Sequence, residues 1–112
     1  MHELAIADAV LSMALEQAVG RRVARIGMRV GHLRQIVPSA LHFGFELVAR
    51  ETRAEGATLE IEHVPVAVWC DRCGEESGAA ALPLLCARCG NMDVAVRRGD
   101  ELLVEWIETE EP

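Results

Sequence analysis

Aromatic residues are scarce in this chain. Four occur in 112 residues, Phe43, Phe45, Trp69 and Trp106, too few for a platform on which nucleic-acid bases could stack. An excess of basic residues is missing too. Eleven basic residues face 18 acidic ones, for a net charge of −7. Such a chain repels a phosphate backbone, so nucleic acid is not an expected partner. No apolar run is long enough to span a bilayer, and no membrane association is expected. No secretory signal stands at the N-terminus, so the thiols are expected to stay reduced and the protein to be cytoplasmic. No internal repeat or low-complexity run occurs. No nucleophile–base pairing or paired carboxylate is suggested by spacing, so the chain is not expected to be an enzyme. What is present is a chain of single-domain length with 51% hydrophobic residues, enough to fold.

All four cysteines lie in one stretch, Cys70-Asp-Arg-Cys73 and Cys86-Ala-Arg-Cys89, and each pair is followed at once by a glycine, Gly74 or Gly90. Cysteines three apart can turn both sulfurs toward one ion, and two such knuckles complete a tetrahedron of thiolates. The glycines give each knuckle the backbone freedom to turn its amides back toward the sulfurs. A four-thiolate site is closed, which points to structural zinc rather than a catalytic metal. Two disulfides fit a reduced compartment poorly. A redox motif would be one pair near a βαβ unit, not two matched pairs. An iron–sulfur cluster also accepts four thiolates and stays open as an alternative.

The rest of the chain alternates between the two hydrophobic periods. Residues 4–19 read as a helix with Leu4, Ala7, Leu11, Leu15 and Ala18 on one apolar face, widened by Ile6, Val10 and Met13. Residues 22–30 switch to period two, with Ala24, Ile26, Met28 and Val30 opposite Val23, Arg25, Gly27 and Arg29. A second helix is expected at about 38–54, opening on Pro38, with Leu41, Phe45 and Val48 on its dry face and His42 on its wet one. A strand follows at 57–64, where His63 falls on the Leu59–Ile61 face and is expected to be packed. Val66, Val68 and Trp69 lead as a short strand into the first knuckle. Gly78-Ala-Ala-Ala-Leu82-Pro83 suits a small hairpin between the knuckles, and Val94 to Arg97 a returning strand. Glu101–Glu108 reads as a last strand, and the acids of the tail from Gly99 as mostly solvated.

The expected fold is therefore α+β. Two helices cover one face of a small three-stranded sheet, and a zinc-ribbon-like lobe is inserted between two of the strands. The division is residues 1–66 plus 97–112 for the α/β domain and 67–96 for the inserted zinc-binding domain.

The N-terminus offers a second metal site. Initiator methionine is retained before a bulky residue such as His2, which brings together the terminal amine, the His2 backbone amide and the His2 imidazole. Binding through the amide requires its deprotonation, which Ni(II) and Cu(II) can drive and Zn(II) generally cannot. The product is a planar, nitrogen-rich site of the kind those two ions favour. Exposed at a chain terminus, it would give up its ion more readily than a four-thiolate cage.

Together the pieces resemble a known family. Met1-His2-Glu3-Leu4, Gly31-x-Leu33, Pro38-x-Ala40-Leu41-x-Phe43-x-Phe45-Glu46 and the two C-x-x-C pairs stand in the order seen in the HypA/HybF hydrogenase nickel-incorporation family. The resemblance implies a nickel metallochaperone that serves maturation of [NiFe]-hydrogenase. It implies Ni2+ as cargo, held at the N-terminus by the Met1 amine, His2 and the Glu3 amide, with structural Zn2+ on Cys70, Cys73, Cys86 and Cys89. It also implies a HypB-type GTPase and the hydrogenase large subunit as partners, and urease maturation proteins in some lineages. One position departs. Family members commonly carry a carboxylate six residues after the glycine equivalent to Gly31, and here that position is Val37, which cannot ligate. His32, next to Gly31, is a candidate substitute ligand. The competing reading is a zinc-ribbon adaptor that binds protein, or against its charge nucleic acid, without delivering nickel.

Overall fold

A computed structural model of the chain describes residues 2–111. The chain has the α+β make-up expected of it, with two α-helices and two small sheets. It divides into two compact units. The first comprises Met1–Arg29, Ile36–Glu62 and Leu103–Pro112, and the second Val30–Gln35 and His63–Leu102. The second unit takes in more chain than the stretch around the cysteines.

In the first unit, α1 runs over Glu3–Ala18 and α2 over Pro38–Ala49. Helix α1 stops where Val19 and Gly20 both take positive φ, 51° and 83°, a left-handed end that glycine accommodates. Helix α2 begins with Pro38, whose missing N–H costs nothing in a first turn. It ends sooner than its periodicity suggests. Glu51 takes φ 61°, and the Thr52 hydroxyl turns back onto the Ala49 carbonyl at 2.6 Å, competing with a further helical turn.

The two helices pack on each other through small residues. A Cβ on Gly44 would meet Leu4 Cα at 3.4 Å and Ala7 Cβ at 3.5 Å. Leu41, Phe45 and Ala49 are buried from α2, and Ala7, Val10, Leu11, Ala14 and Ala18 from α1. Leu4, Met13, Phe43 and Leu47, all apolar and all on these helices, stay exposed. The wide stripe of α1 is therefore only partly used within the chain.

Strands β1 (Val23–Gly31), β2 (Thr58–Val64) and β6 (Leu102–Thr109) form a three-stranded sheet in the order β2-β1-β6. At opposite ends of β1, Gly31 N–H donates to Glu101 and Glu110 N–H donates to Arg22, so β1 and β6 run antiparallel. On β1, Ile26, Met28 and Val30 are buried, and burying such a side chain fully stabilises by about 1.5–3 kcal/mol. The alternate residues carry charge. Arg25 bonds Glu60 at 2.8 Å and Glu108 at 2.9 Å, and Arg29 bonds Glu62 at 3.0 Å. Trp106 lies across Gly27, where a Cβ would stand 2.1 Å from its ring, and Arg25 sits 5.3 Å above that ring. The acids of the last strand are thus partly recruited into an arginine ladder rather than left as a solvated end.

In the second unit, β3 (Ala67–Cys70) is the middle strand of a sheet ordered β4-β3-β5, with β4 at Glu75–Gly78 and β5 at Ala95–Arg98. Both neighbours pair antiparallel, with Cys70 opposite Glu75 and Trp69 opposite Ala95. The hairpin therefore closes around the first knuckle, not between the two knuckles as the Gly78–Pro83 run suggests. That run cannot supply a ladder, because it lacks the alternating residues of a strand.

A single helical turn of 3-10 type, His32–Arg34, follows β1. It is tied down by Leu33 N–H on the Gly99 carbonyl at 2.8 Å and by Arg34 Nε on the Asp100 carbonyl at 2.7 Å. Gly31 and Gly99 touch backbone to backbone: a Cβ on Gly31 would lie 2.1 Å from the Gly99 carbonyl. Gly99 itself takes φ 110°, where a side chain is strained.

Candidate metal centres

The four cysteines converge. Cys70 ends β3, and Cys73 lies in the turn before β4. The Gly74 N–H donates to the Cys70 carbonyl at 2.8 Å, and the Gly90 N–H to the Cys86 carbonyl at 2.9 Å. The two knuckles are thus built alike, each closed by a glycine at positive φ, 68° and 75°, which is why glycine follows each pair.

The sulfurs all lie within 4.8 Å of one another. Cys70 and Cys89 are 3.7 Å apart at Sγ, and Cys73 and Cys86 are 3.8 Å apart. A tetrahedral ion about 2.3 Å from each thiolate sets sulfur–sulfur edges of roughly 3.8 Å, so the donor set fits one such ion. All four thiols are free, which removes the disulfide alternative. An iron–sulfur cluster spreads its thiolates over several irons and needs a wider cage.

The electrostatics favour thiolates. Backbone N–H groups of Cys89 and Arg88 bring the Cys86 thiol down to about 6, and the N–H of Cys73 lowers Cys70. Cys73 is pushed up to about 12, chiefly by its thiol neighbours Cys89 and Cys86. Four thiols this close resist joint ionisation unless a cation stands between them. Cys70 and Cys86 are buried, Cys73 is half-buried and Cys89 is exposed, so one edge of the cage faces solvent.

Two residues support the cage that the cysteine spacing alone does not indicate. Asn91 points its amide N–H at Cys70 Sγ, 3.6 Å away, while its carbonyl oxygen accepts from Asp93 N–H. Ser77 Oγ accepts from Ala87 N–H at 3.1 Å, joining β4 to the second knuckle. Arg88 and Glu75 add an ion pair between the same two segments. The position of Asn91, directly after Gly90, was the only available hint.

Met1 lies outside the described residues. His2 is exposed and precedes α1; its carbonyl accepts the helix's first hydrogen bond, from Ile6 N–H at 3.1 Å. Glu3 is buried, and its carboxylate accepts from the Val37 N–H at 2.9 Å. That backbone bond, before any other influence, holds the Glu3 carboxyl below its ordinary value. His32 is exposed in the second unit, with its ring centroid 5.4 Å from that of His63. His63 is itself exposed rather than packed, because this end of β2 turns the alternate residue, Val64, inward.

The chain as a whole is similar to known proteins. A family model described as hydrogenase/urease nickel incorporation metallochaperone, HypA, matches residues 1–109. Hydrogenase maturation factor HypA of Geobacter metallireducens is 38% identical over 110 residues, covering 98% of this chain and 100% of the relative. The HypA of Acidithiobacillus ferrooxidans is 35% identical over 113 residues, with 98% and 100% covered. Hydrogenase maturation factor HybF of Klebsiella pneumoniae is 34% identical at the same coverage. The fold matches the solution structure of the Ni metallochaperone HypA from Helicobacter pylori with a TM-score of 0.66, at 21% identity and 97% coverage of each chain. A second HypA solution structure matches with a TM-score of 0.71, at 22% identity over 98% of this chain and 97% of that one. The chain belongs to the HypA family of hydrogenase/urease nickel-incorporation metallochaperones.

Proposed function

We propose that this protein carries Ni(II) at its N-terminus and hands it on during maturation of [NiFe]-hydrogenase, while a zinc ion on Cys70, Cys73, Cys86 and Cys89 holds the second unit together. The observation that carries the reading is the setting of His2. It is exposed, and the helical ladder begins only with its carbonyl, so the ladder leaves its amide N–H unclaimed. That amide can lose its proton to nickel without breaking α1. The Met1 amine, the His2 imidazole and the His2 and Glu3 amides then complete a planar nitrogen set. Two deprotonated amides cancel the charge of the ion, so a neutral complex stands at the positive end of the helix dipole.

Membership of the family supports nickel as cargo and carriage rather than catalysis as the task. It supports a HypB-type GTPase and the hydrogenase large subunit as partners, with urease maturation proteins as a second route. Cytoplasmic work fits these partners, and among the described residues no helix is long and apolar enough to cross a membrane. The zinc assignment rests on the 3.7 and 3.8 Å sulfur spacings.

The test is nickel calorimetry with elemental analysis on zinc-loaded protein, comparing the native N-terminus with a chain whose terminal amine is acetylated. The native chain is expected to bind one Ni(II), and the acetylated chain to lose it while keeping zinc. Equal binding by both, or by neither, overturns the terminal site and favours a zinc-ribbon adaptor.

A further inference from the structure

His32 and His63 stand together in the second unit, yet neither belongs to the cysteine cage. Their ring centroids are 5.4 Å apart and their planes meet at 84°. Both are exposed, and both line an open cavity of about 390 Å³ whose other walls are Pro65, Val66 and Gly78–Ala80. We infer that His32 and His63 form a two-imidazole site for a borderline divalent transition ion, Ni(II), Cu(II) or Zn(II), whose remaining coordination positions stay open to water or an incoming ligand.

The spacing is what a shared ion requires. A metal about 2.0–2.1 Å from one nitrogen of each ring places the ring centroids roughly 4.5–5.5 Å apart, for N–metal–N angles from square-planar to trigonal. The rings meet edge to face, so each must turn about χ2 to aim a nitrogen at a common point. That torsion is broad for histidine, and both rings border open space rather than packed neighbours.

The backbones beneath the rings are held. His32 is bracketed by Gly31 N–H on Glu101 at 2.7 Å and Leu33 N–H on Gly99 at 2.8 Å, and its own carbonyl accepts from Gln35 N–H at 3.2 Å. His63 lies on β2 beside buried Val64. Two donors on anchored elements lose little freedom when an ion joins them.

The lining also sets the class of ion. Among the described residues no carboxylate lines the cavity, so Mg2+ and Ca2+, which need oxygen ligands, find none from these side chains. No thiol lines it either, so the site does not duplicate the cysteine cage. With two protein ligands the ion is held weakly and exchanges readily, the opposite of a closed four-thiolate site. The inference does not depend on the terminal nickel site, because the pair lies on different residues.

The experiment uses the zinc-loaded chain with its terminal amine acetylated, so that the amine cannot ligate. Ni(II) alone is titrated while the histidine ring signals are followed by NMR. Paramagnetic Ni(II) is expected to broaden the His32 and His63 rings together, with His42 slower to respond. H32A and H63A are each expected to weaken this binding at least tenfold without releasing zinc. Broadening of one ring without the other, or unchanged affinity in H63A, overturns the site. The ring signals of the unsubstituted chain decide the matter even where a variant folds poorly. Should the terminal reading fail by calorimetry, joint broadening here still stands, so the two failures are distinguishable.

Discussion

The carboxylate of Glu3 accepts a hydrogen bond from the backbone N–H of Val37 at 2.9 Å. This one contact ties the first turn of α1 to the residue that precedes α2. It also places a carboxylate beside Val37, whose own side chain cannot ligate. The side chain of Glu3 thus has a structural task apart from any role of its amide.

Changing Glu3 separates those two tasks. Glu3→Ala removes the acceptor and leaves the Val37 N–H without it; the thermal midpoint is expected to fall by a few degrees. Glu3→Gln keeps an acceptor oxygen and is expected to fall less. Amide ligation does not need the carboxylate, so both variants are expected to retain one nickel by calorimetry. A chain that keeps its midpoint in Glu3→Ala would deny the contact any weight.

Removal of the cage ion should melt the second unit. Metal binding to such cages is coupled to folding, with apparent free energies of about 10–16 kcal/mol in small zinc domains. Chelation, or Cys70→Ser, is expected to collapse the amide dispersion of residues 67–98 in NMR spectra. The signals of α1 and α2 are expected to persist, because their core of Ala7, Leu11, Leu41 and Phe45 contains no metal ligand. Full loss of dispersion across the chain would show that the two units fold only together.

Gly31 is a steric requirement. Its Cβ position is occupied by the Gly99 carbonyl at 2.1 Å, backbone against backbone, so no rotamer relieves a side chain there. Gly31→Ala is expected to cost about 1–3 kcal/mol or more, read as a lower urea midpoint. Gly78→Ala is the control, since its nearest neighbour lies 3.9 Å away. Equal midpoints for the two variants would disprove the close approach.

The arginine ladder on the first sheet predicts an acid-sensitive contribution to stability. Arg25, first by its hydrogen bond and then by its charge, holds the Glu108 carboxyl below its ordinary value. The folded value is the lower one, so the contribution is fully present above the unfolded carboxylate value, near 4.3. It is lost as pH falls through the folded value. The gap in urea midpoint between the native chain and Glu108→Gln is therefore expected to shrink from pH 6 toward pH 3. It should be small and salt-sensitive, because both side chains are about half exposed. A gap that does not change with pH would remove Arg25 as its cause.

Much of this architecture was readable from local pattern. Period 3.6 marked both helices and period 2 marked β1 and β2, because burial on one face imposes those spacings. The cysteine pairs and their glycines announced a tetrahedral cage, since the knuckle is a local object of five residues. His63 was misread as packed because alternation names two faces of a strand without saying which one faces inward at its end. The hairpin falls elsewhere because an apolar, turn-rich run between the knuckles suits a turn, while the strand that pairs with β3 is the polar stretch Glu75–Gly78, which only the tertiary pairing reveals.

Local spacing thus determined most of the elements and the four-thiolate set, which depend on residues a few positions apart. Tertiary structure alone decided what distant residues do together. Glu3 finds Val37, Gly31 meets Gly99, Arg25 bridges Glu60 and Glu108, and His32 stands against His63. Each pair is separated by dozens of residues, and no periodicity encodes contacts that exist only once the chain has closed those loops.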